Sequence, residues 1–283
     1  MKKIHIFNPA SGKSKLVPKN IKDDLYQTKC TGDAKEYAHN ICKHQDVHFV
    51  VHGGDGTINE VASGIIKADA GERVLLSVIP KGTGNDFVKS FKKDAGITYV
   101  DAIKFNDEYC VNCLNAGLDL LVVEQSNKFK KIPFISGSFA YILGVVAALF
   151  KRKNEKWSIS IENHLGQSET FENQEYSLVL FANGSYYGGG FLAAPLANPS
   201  DGLIDMILVK KVSTFTLLKL ILGYRAGKHF DASGLTDKFR KYMIYRKCTK
   251  IKIDNIKKIC SDGEIFNIEN ADISIVKNAI RYV

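Results

Sequence analysis

Over the first hundred positions, apolar residues come in short runs that glycines break. Ile4–Phe7 reads as a buried strand, followed by the turn Asn8-Pro9-Ala10-Ser11-Gly12-Lys13 and then a helical stretch. Val47–His52 is a second strand, stopped by Gly53-Gly54. Beyond it Ile58, Val61, Ala62, Ile65 and Ile66 recur at the spacing of one helical face. Val74–Ile79 is a third strand, stopped by Pro80, and Gly82 and Gly84 open the next turn. Repeated strand–loop–helix units predict a parallel sheet covered by helices.

The texture changes beyond about Asp107. Trp157–Ile161, Ser177–Ala182, Leu203–Lys210, Lys250–Asp254, Lys257–Cys260, Ile265–Ile268 and Ile273–Val276 read as strands. Asn183-Gly184, Asp201-Gly202 and Asp262-Gly263 are turn signals among them, and the last is the signature of a type I′ hairpin. Pro133–Phe150 and Thr214–Tyr224 read as helices beside a mostly antiparallel β domain. No composition shift marks a linker, so the boundary is placed between Asp101 and Tyr109.

Composition changes this picture in two respects. Of 283 residues, 39 are Lys or Arg and 30 Asp or Glu, a formal charge of +9 that favours anionic partners. Six cysteines are too few for a disulfide scaffold, and Met1-Lys2-Lys3 runs directly into a strand, so a reduced, cytosolic protein is expected. Pro133–Phe150 carries no charge and lies between Lys128, Lys130 and Lys131 on one side and Lys151, Arg152 and Lys153 on the other. It reads as a buried helix or as a surface that touches a membrane. Cys110 and Cys113 form a lone CxxC without a second pair, which reads as structural, and His5, His48 and His52 are expected to pack within or beside strands.

Gly53-Gly54-Asp55-Gly56-Thr57 is the strongest local signal. Where a strand gives way to a helix, glycines let a phosphate approach the main chain, and the helix N-terminus favours its charge. Asp55 then caps the helix or holds a cation shared with the phosphates; a plain strand-to-helix turn with a capping Asp is the alternative. A P-loop reading of Gly12-Lys13-Ser14 fails because Phe7 occupies its first glycine, and dinucleotide fingerprints fail at Asn59 and Phe87. Pro80–Phe87 repeats the arrangement after the next strand. With Asn8–Lys13, the two loops would meet at the strand ends as a triphosphate cradle.

In order, these residues resemble the diacylglycerol kinase catalytic family, specifically its small bacterial lipid kinases. The resemblance rests on Asn8-Pro9 with Ser11-Gly12, Thr31 with Gly32-Asp33-Ala34, Gly53–Glu60 and Pro80–Phe87. It continues through Gly188–Phe191, Ala194-Pro195, Asn198–Asp205 and Asp262-Gly263-Glu264. It implies an α/β nucleotide-binding domain with a parallel sheet, over 1–106, then a mostly antiparallel β-sandwich over 107–276, with 277–283 returning to the first domain. Asn8, Thr31, Gly54, Asp55, Gly56, Thr57, Ile58, Asn59, Glu60, Thr83 and Asn85 match positions at the nucleotide. Asp201, with the carbonyls of Asn198 and Leu203, matches a magnesium site in the β domain. Glu264 matches the general base, and Asp101 an acidic position near the catalytic magnesium. Asp101 follows Asp86 by only 15 positions, where relatives have room for an additional helix.

The function this implies is ATP- and Mg2+-dependent phosphorylation of a lipid alcohol, diacylglycerol first. A sphingoid base, phosphatidylglycerol or a polyprenol is the alternative acceptor, and a non-catalytic nucleotide-binding protein at the membrane the alternative class. The partners expected are the lipid and an anionic membrane touched peripherally from the cytoplasm, with a homodimer left open and no nucleic acid.

Overall fold

The computed structural model describes residues 1–12, 21–91, 96–129, 132, 137–151 and 155–283. Lys13 and the start of the helical stretch expected after it, Lys130, Lys131 and Arg152-Lys153 lie outside the described residues; the rest of that stretch holds a short strand at Asp24–Gln27 before the helix at Asp33–Cys42.

The first half alternates as its apolar runs require. β1 (Lys2–Phe7) is followed by β2 (Asp24–Gln27), α1 (Asp33–Cys42), β3 (Val47–Gly53), α2 (Asp55–Lys67), β4 (Leu75–Pro80) and the short α3 (Asp86–Lys89). The strands pair in parallel in the order β2-β1-β3-β4. Ile58, Val61, Ala62 and Ile65 on α2 are buried against Ile4, Ile6, Phe49 and Val51 of the sheet. Helices α1 and α2 touch at Gly64, where a Cβ would meet Lys35 O at 2.5 Å and Ala38 Cβ at 2.9 Å. That approach exists because the residue has no side chain.

The second half begins with β5 (Thr98–Phe105), β6 (Glu108–Cys110) and β7 (Cys113–Gly117), and continues into α4 (Leu118–Phe129) and α5 (Gly137–Lys151). Strands β8 (Glu155–Glu162), β9 (Ser168–Ala182), β10 (Tyr186–Tyr187), β11 (Phe191–Leu192) and β12 (Ile204–Lys210) precede α6 (Thr214–Arg225). β13 (Phe230–Asp231), β14 (Gly234–Leu235) and α7 (Asp237–Arg240) lead to β15 (Met243–Cys248), β16 (Lys250–Asp254), β17 (Lys258–Ser261), β18 (Glu264–Asn267) and β19 (Ala271–Tyr282). The long β9 pairs with β8 along its first part and with β7 and β12 along its second. Trp157, Phe181, Met206, Ile253 and Ile259 fill the core between these antiparallel strands.

β19 serves both halves. Ala271–Ser274 pairs with β16, and Arg281-Tyr282 pairs in parallel with Leu75-Leu76 of β4. Between them the register against β5 shifts, and Asn278 adopts a left-handed φ of 52°. The pattern ending at Val276 predicts a shorter strand; Lys277 and Asn278 interrupt its alternation but not its course. Strands β5, β7 and β15, and helix α4, also go beyond the elements the apolar runs predict. Among the described residues no helix is long and apolar enough to cross a membrane. All six cysteines are free thiols, with Cys110 and Cys113 buried, and His5 contacts His52 across β1 and β3.

Candidate active site

Three loops close on one another at the ends of β1, β3 and β4. Lys81 N donates to Gly53 O at 2.8 Å, and Asn8 N to His52 O at 3.1 Å. A Cβ on Gly12 would overlap Lys81 O, and one on Gly82 would stand 2.6 Å from Gly54 Cα. Only glycine permits this packing, so the expected convergence of glycine loops has a steric cause. Asn8 accepts from Ala10 N and donates to Thr57 Oγ1 at 2.8 Å, tying the first loop to α2.

Gly54 caps α2, and its carbonyl accepts from Ile58 N at 3.1 Å. The amides of Asp55, Gly56 and Thr57 therefore form the first turn, whose N–H groups have no intrahelical acceptor. Ile58 itself lies in the core, Asn59 Oδ1 accepts from Val111 N, and Glu60 accepts from Gly32 N and Ala34 N. These three residues hold neighbouring segments in place, Glu60 fixing the loop that carries exposed Thr31.

Four carboxylates gather beside that turn. Asp55 Oδ1 accepts from Phe87 N at 3.0 Å, and Asp86 Oδ2 from Gly189 N at 2.7 Å, while Lys89 pairs with the other Asp86 oxygen at 2.8 Å. A Cβ on Gly84 would stand 2.9 Å from Asp55 Oδ2 and 3.3 Å from Asp86 Oδ2, so that glycine keeps room between them. The third, Asp262, lies at the tip of the β17–β18 hairpin, where φ is 47° at Asp262 and 91° at Gly263. That is the two-residue type I′ turn its sequence predicts. Its carboxylate accepts from Val111 N and Asn112 N, both at 3.2 Å, and from Cys113 N at 2.9 Å. The fourth, Glu264, is exposed on the next position of the hairpin, and its charge acts on Glu60.

Burial raises the Asp55 carboxyl above its ordinary value, and the neighbouring Asp86 charge adds to this. Burial pushes Asp262 up to about 7, with the charge of Asp55 contributing, against the pull of its N–H donors. Thr83 is exposed between Gly82 and Gly84. Asn85, at a left-handed φ of 52°, donates to Gly82 O, and its buried Oδ1 has no partner among the described residues. A hard cation accompanying a phosphate would satisfy that oxygen, so Asp55 and Asn85 fit such an ion.

Asp101 belongs to a different group. It is 1% exposed, accepting from Gly202 N at 2.7 Å and Asn278 N at 2.8 Å, so it clamps the kink of β19 to the Asp201 loop. There Asp201 Oδ1 accepts from Leu203 N, and Oδ2 lies 2.7 Å from Lys247 Nζ. Burial works to lower the Lys247 ammonium, but Asp201 and Asp205 outweigh it and raise it. Buried Asn183 joins the two groups, donating to Val111 O and Asp101 O, both at 2.8 Å. Its Asn183-Gly184 signal is spent on this bracket, not on a hairpin.

Sequence reasoning on site residues passed over Asp262, whose Asp-Gly pair reads as the turn before Glu264, and Lys247, which has no local signal at all.

Residues 4–106 match the family model described as the diacylglycerol kinase catalytic domain, and residues 112–282 the YegS C-terminal NAD kinase beta sandwich-like domain. A Staphylococcus carnosus protein named "Putative lipid kinase" is 27% identical over 267 residues, covering 88% of this chain and 82% of that protein. A Staphylococcus aureus protein, "Putative lipid kinase SAR0780", is 28% identical over 260 residues, covering 88% and 79%. A solved structure titled as a putative diacylglycerol kinase from Bacillus anthracis shares the fold with a TM-score of 0.71. It is 24% identical and covers 100% of this chain and 96% of that one.

Proposed function

The chain belongs to the diacylglycerol kinase-like family of lipid kinases, and from that premise we propose that it transfers the γ-phosphate of ATP to the hydroxyl of a lipid alcohol, diacylglycerol first. One observation carries the reading: a rigid hairpin, anchored through Asp262 to three main-chain amides, presents the exposed carboxylate of Glu264 close enough to Glu60 of α2 for its charge to act there, on the helix that the first glycine loop opens. The nucleotide half comprises residues 1–106 with 277–283, and the β-sandwich half residues 107–276.

Phosphoryl transfer needs aligned phosphates and an oriented hydroxyl more than covalent assistance. The first-turn amides of Asp55, Gly56 and Thr57 receive phosphate oxygens, and Gly54, Thr83 and Asn85 shape the wall around them. Asn8 holds Thr57 in place, and Ile58, Asn59 and Glu60 fix the helix and the Thr31 loop. Asp55 and Asn85 Oδ1 would hold a magnesium ion, which would offset charge on the transferred phosphate. Glu264 accepts the proton of the alcohol as its oxygen bonds to the γ-phosphorus. The bond from that phosphorus to the β-phosphate oxygen breaks, and ADP leaves. Asp101 acts as a positioning residue: its carboxylate fixes Gly202 and Asn278, and its main-chain carbonyl accepts from Asn183.

Access to a lipid requires contact with its bilayer. Phe150 is 84% exposed at the end of α5, beside Lys151, which donates to Gln125, and Lys128 is exposed on α4. An apolar side chain between cations suits peripheral docking on anionic lipid.

The test is labelled ATP with a panel of lipid alcohols in mixed micelles, with NAD as control. Labelled phosphatidic acid is expected. Label on a sphingoid base, phosphatidylglycerol or a polyprenol would move the acceptor, and label on NAD alone would overturn the reading.

A further inference from the structure

The resemblance implies magnesium on Asp201 with the carbonyls of Asn198 and Leu203, and the groups present do not suit it. Asn198 O accepts from Asp201 N at 3.3 Å, closing the turn on itself. Asp201 Oδ1 accepts from Leu203 N at 3.0 Å, and Oδ2 is in contact with the Lys247 ammonium at 2.7 Å.

We propose that Lys247 is a built-in cation standing where a divalent ion would otherwise brace the Asp201 loop. The strand register sets it there. Lys247 on β15 lies directly opposite Asp205 on β12, so its stem rises from the ladder that the loop must join. Its Nζ approaches Asp201 Oδ2 at 2.7 Å, Leu196 O at 3.4 Å and Asp205 Oδ2 at 3.6 Å. One ammonium thus ties oxygens of the loop to an oxygen of the ladder, the bridging that a metal ion would supply.

The surroundings favour one resident positive charge over a visiting ion. Asp205 is 1% exposed, and its other oxygen accepts from Tyr245 OH at 2.6 Å. A buried carboxylate in that position needs a permanent partner to stay ionised. Lys277 covers the other side of the turn, where a Cβ on Gly202 would stand 2.5 Å from its Cε and 3.0 Å from its Nζ. A divalent ion entering here would meet two ammonium groups at close range. The lysine side chain is only 30% exposed, so it has little room to swing aside. A tethered cation also braces the loop at any metal concentration.

The experiment is thermal unfolding without nucleotide, in chelator and in millimolar magnesium. The wild-type Tm is expected to be the same in both, and Lys247→Arg, which keeps the charge, is expected to stay indifferent to metal. Lys247→Met should melt lower in chelator and regain Tm in magnesium, by about 2–4 °C for each kcal/mol restored. Adding Asp201→Asn to Lys247→Met should abolish that gain. A wild-type Tm that rises with magnesium, and loses the rise in Asp201→Asn, would overturn the proposal. So would a Lys247→Met protein as stable in chelator as wild type. Should Lys247→Met fail to fold, electron paramagnetic titration of wild type with Mn2+ decides instead: an ion that binds wild type but not Asp201→Asn overturns the proposal, and identical titrations support it. Because the readout is stability, failure here leaves the kinase reading intact.

Discussion

Two groups of carboxylates lie on either side of the Asn183 amide, and the chain treats them differently. In the cleft, Asp55, Asp86, Asp262 and Glu60 are met chiefly by main-chain N–H groups, and among the described residues Lys89 on Asp86 is their one ion pair. In the loop and strand that support it, Asp201 and Asp205 face Lys247, and Lys277 acts on Asp101. Amide dipoles hold a carboxylate in position without cancelling its charge, whereas an ammonium does both. The cleft therefore has few fixed cations of its own, and burial raises Asp55 and Asp262, whereas the support carries its countercharge within the fold. A functional site and a structural one differ here in what answers the charge, not in how many carboxylates they contain.

The largest effect should come from Asp55→Asn, which removes the charge at the centre of the cleft and keeps an acceptor for Phe87 N. Phosphotransfer should disappear in the labelled-ATP assay while circular dichroism stays native; full activity would break the contrast. Glu264→Gln comes next. Loss of a general base costs roughly 10²–10⁴ in rate, or about 3–5 kcal/mol in the barrier. A steady-state assay should find that loss in kcat with nucleotide affinity little changed, and the reverse pattern would assign Glu264 to binding.

A smaller effect belongs to Asp262. Its folded carboxyl titrates near 7 against 3.8 when free, so the folded state keeps the proton more readily between those values. Its contribution to stability is therefore present at low pH and lost as pH rises from about 4 to about 7. Asp262→Asn should flatten its share of that slope in urea unfolding at pH 5 and 8, leaving the share of Asp119, which burial also pushes up to about 7. An unchanged slope would mean that the amides of Val111, Asn112 and Cys113 hold the group ionised throughout. The smallest effect is expected from Lys277→Gln. The side chain is exposed, and surface pairs contribute at most about 1 kcal/mol, so the same unfolding assay should barely register it.

Much of the site was legible because it depends on glycine. Gly12, Gly54 and Gly82 are fixed by close approach of three loops, and Asp262-Gly263 by two left-handed residues, and such needs appear as local sequence. What escaped depends on distant partners. Asp101 interrupts the apolar pattern of β5 because its acceptors serve Asn278 N, 177 positions away, and Gly202 N. Arg246 and Lys247 make β15 look like a loop, although Lys247 is spent on Asp201, 46 positions earlier. Asn183-Gly184 marks the bend that ends β9, but nothing local shows that the Asn183 amide also brackets two distant carbonyls. The uncharged run Pro133–Phe150 becomes the helix Gly137–Lys151, with 133–136 outside the described residues.

β19 also bears on how the molecule is made. The edge of β4 is paired at its first residues, Leu75 and Leu76, by Arg281 and Tyr282, residues translated long after the other parallel strands have left the ribosome. Until then the nascent sheet carries an open, pairing-competent edge, the kind that invites association with other chains. Its closure also waits on contacts of very long sequence separation, which slow the final step of folding. Once β19 is in place, β4 and β16 share one strand, so neither half can melt without stripping the other. Calorimetry should record a single cooperative transition, and translation stalled before β19 should leave an aggregation-prone chain instead of a folded first half.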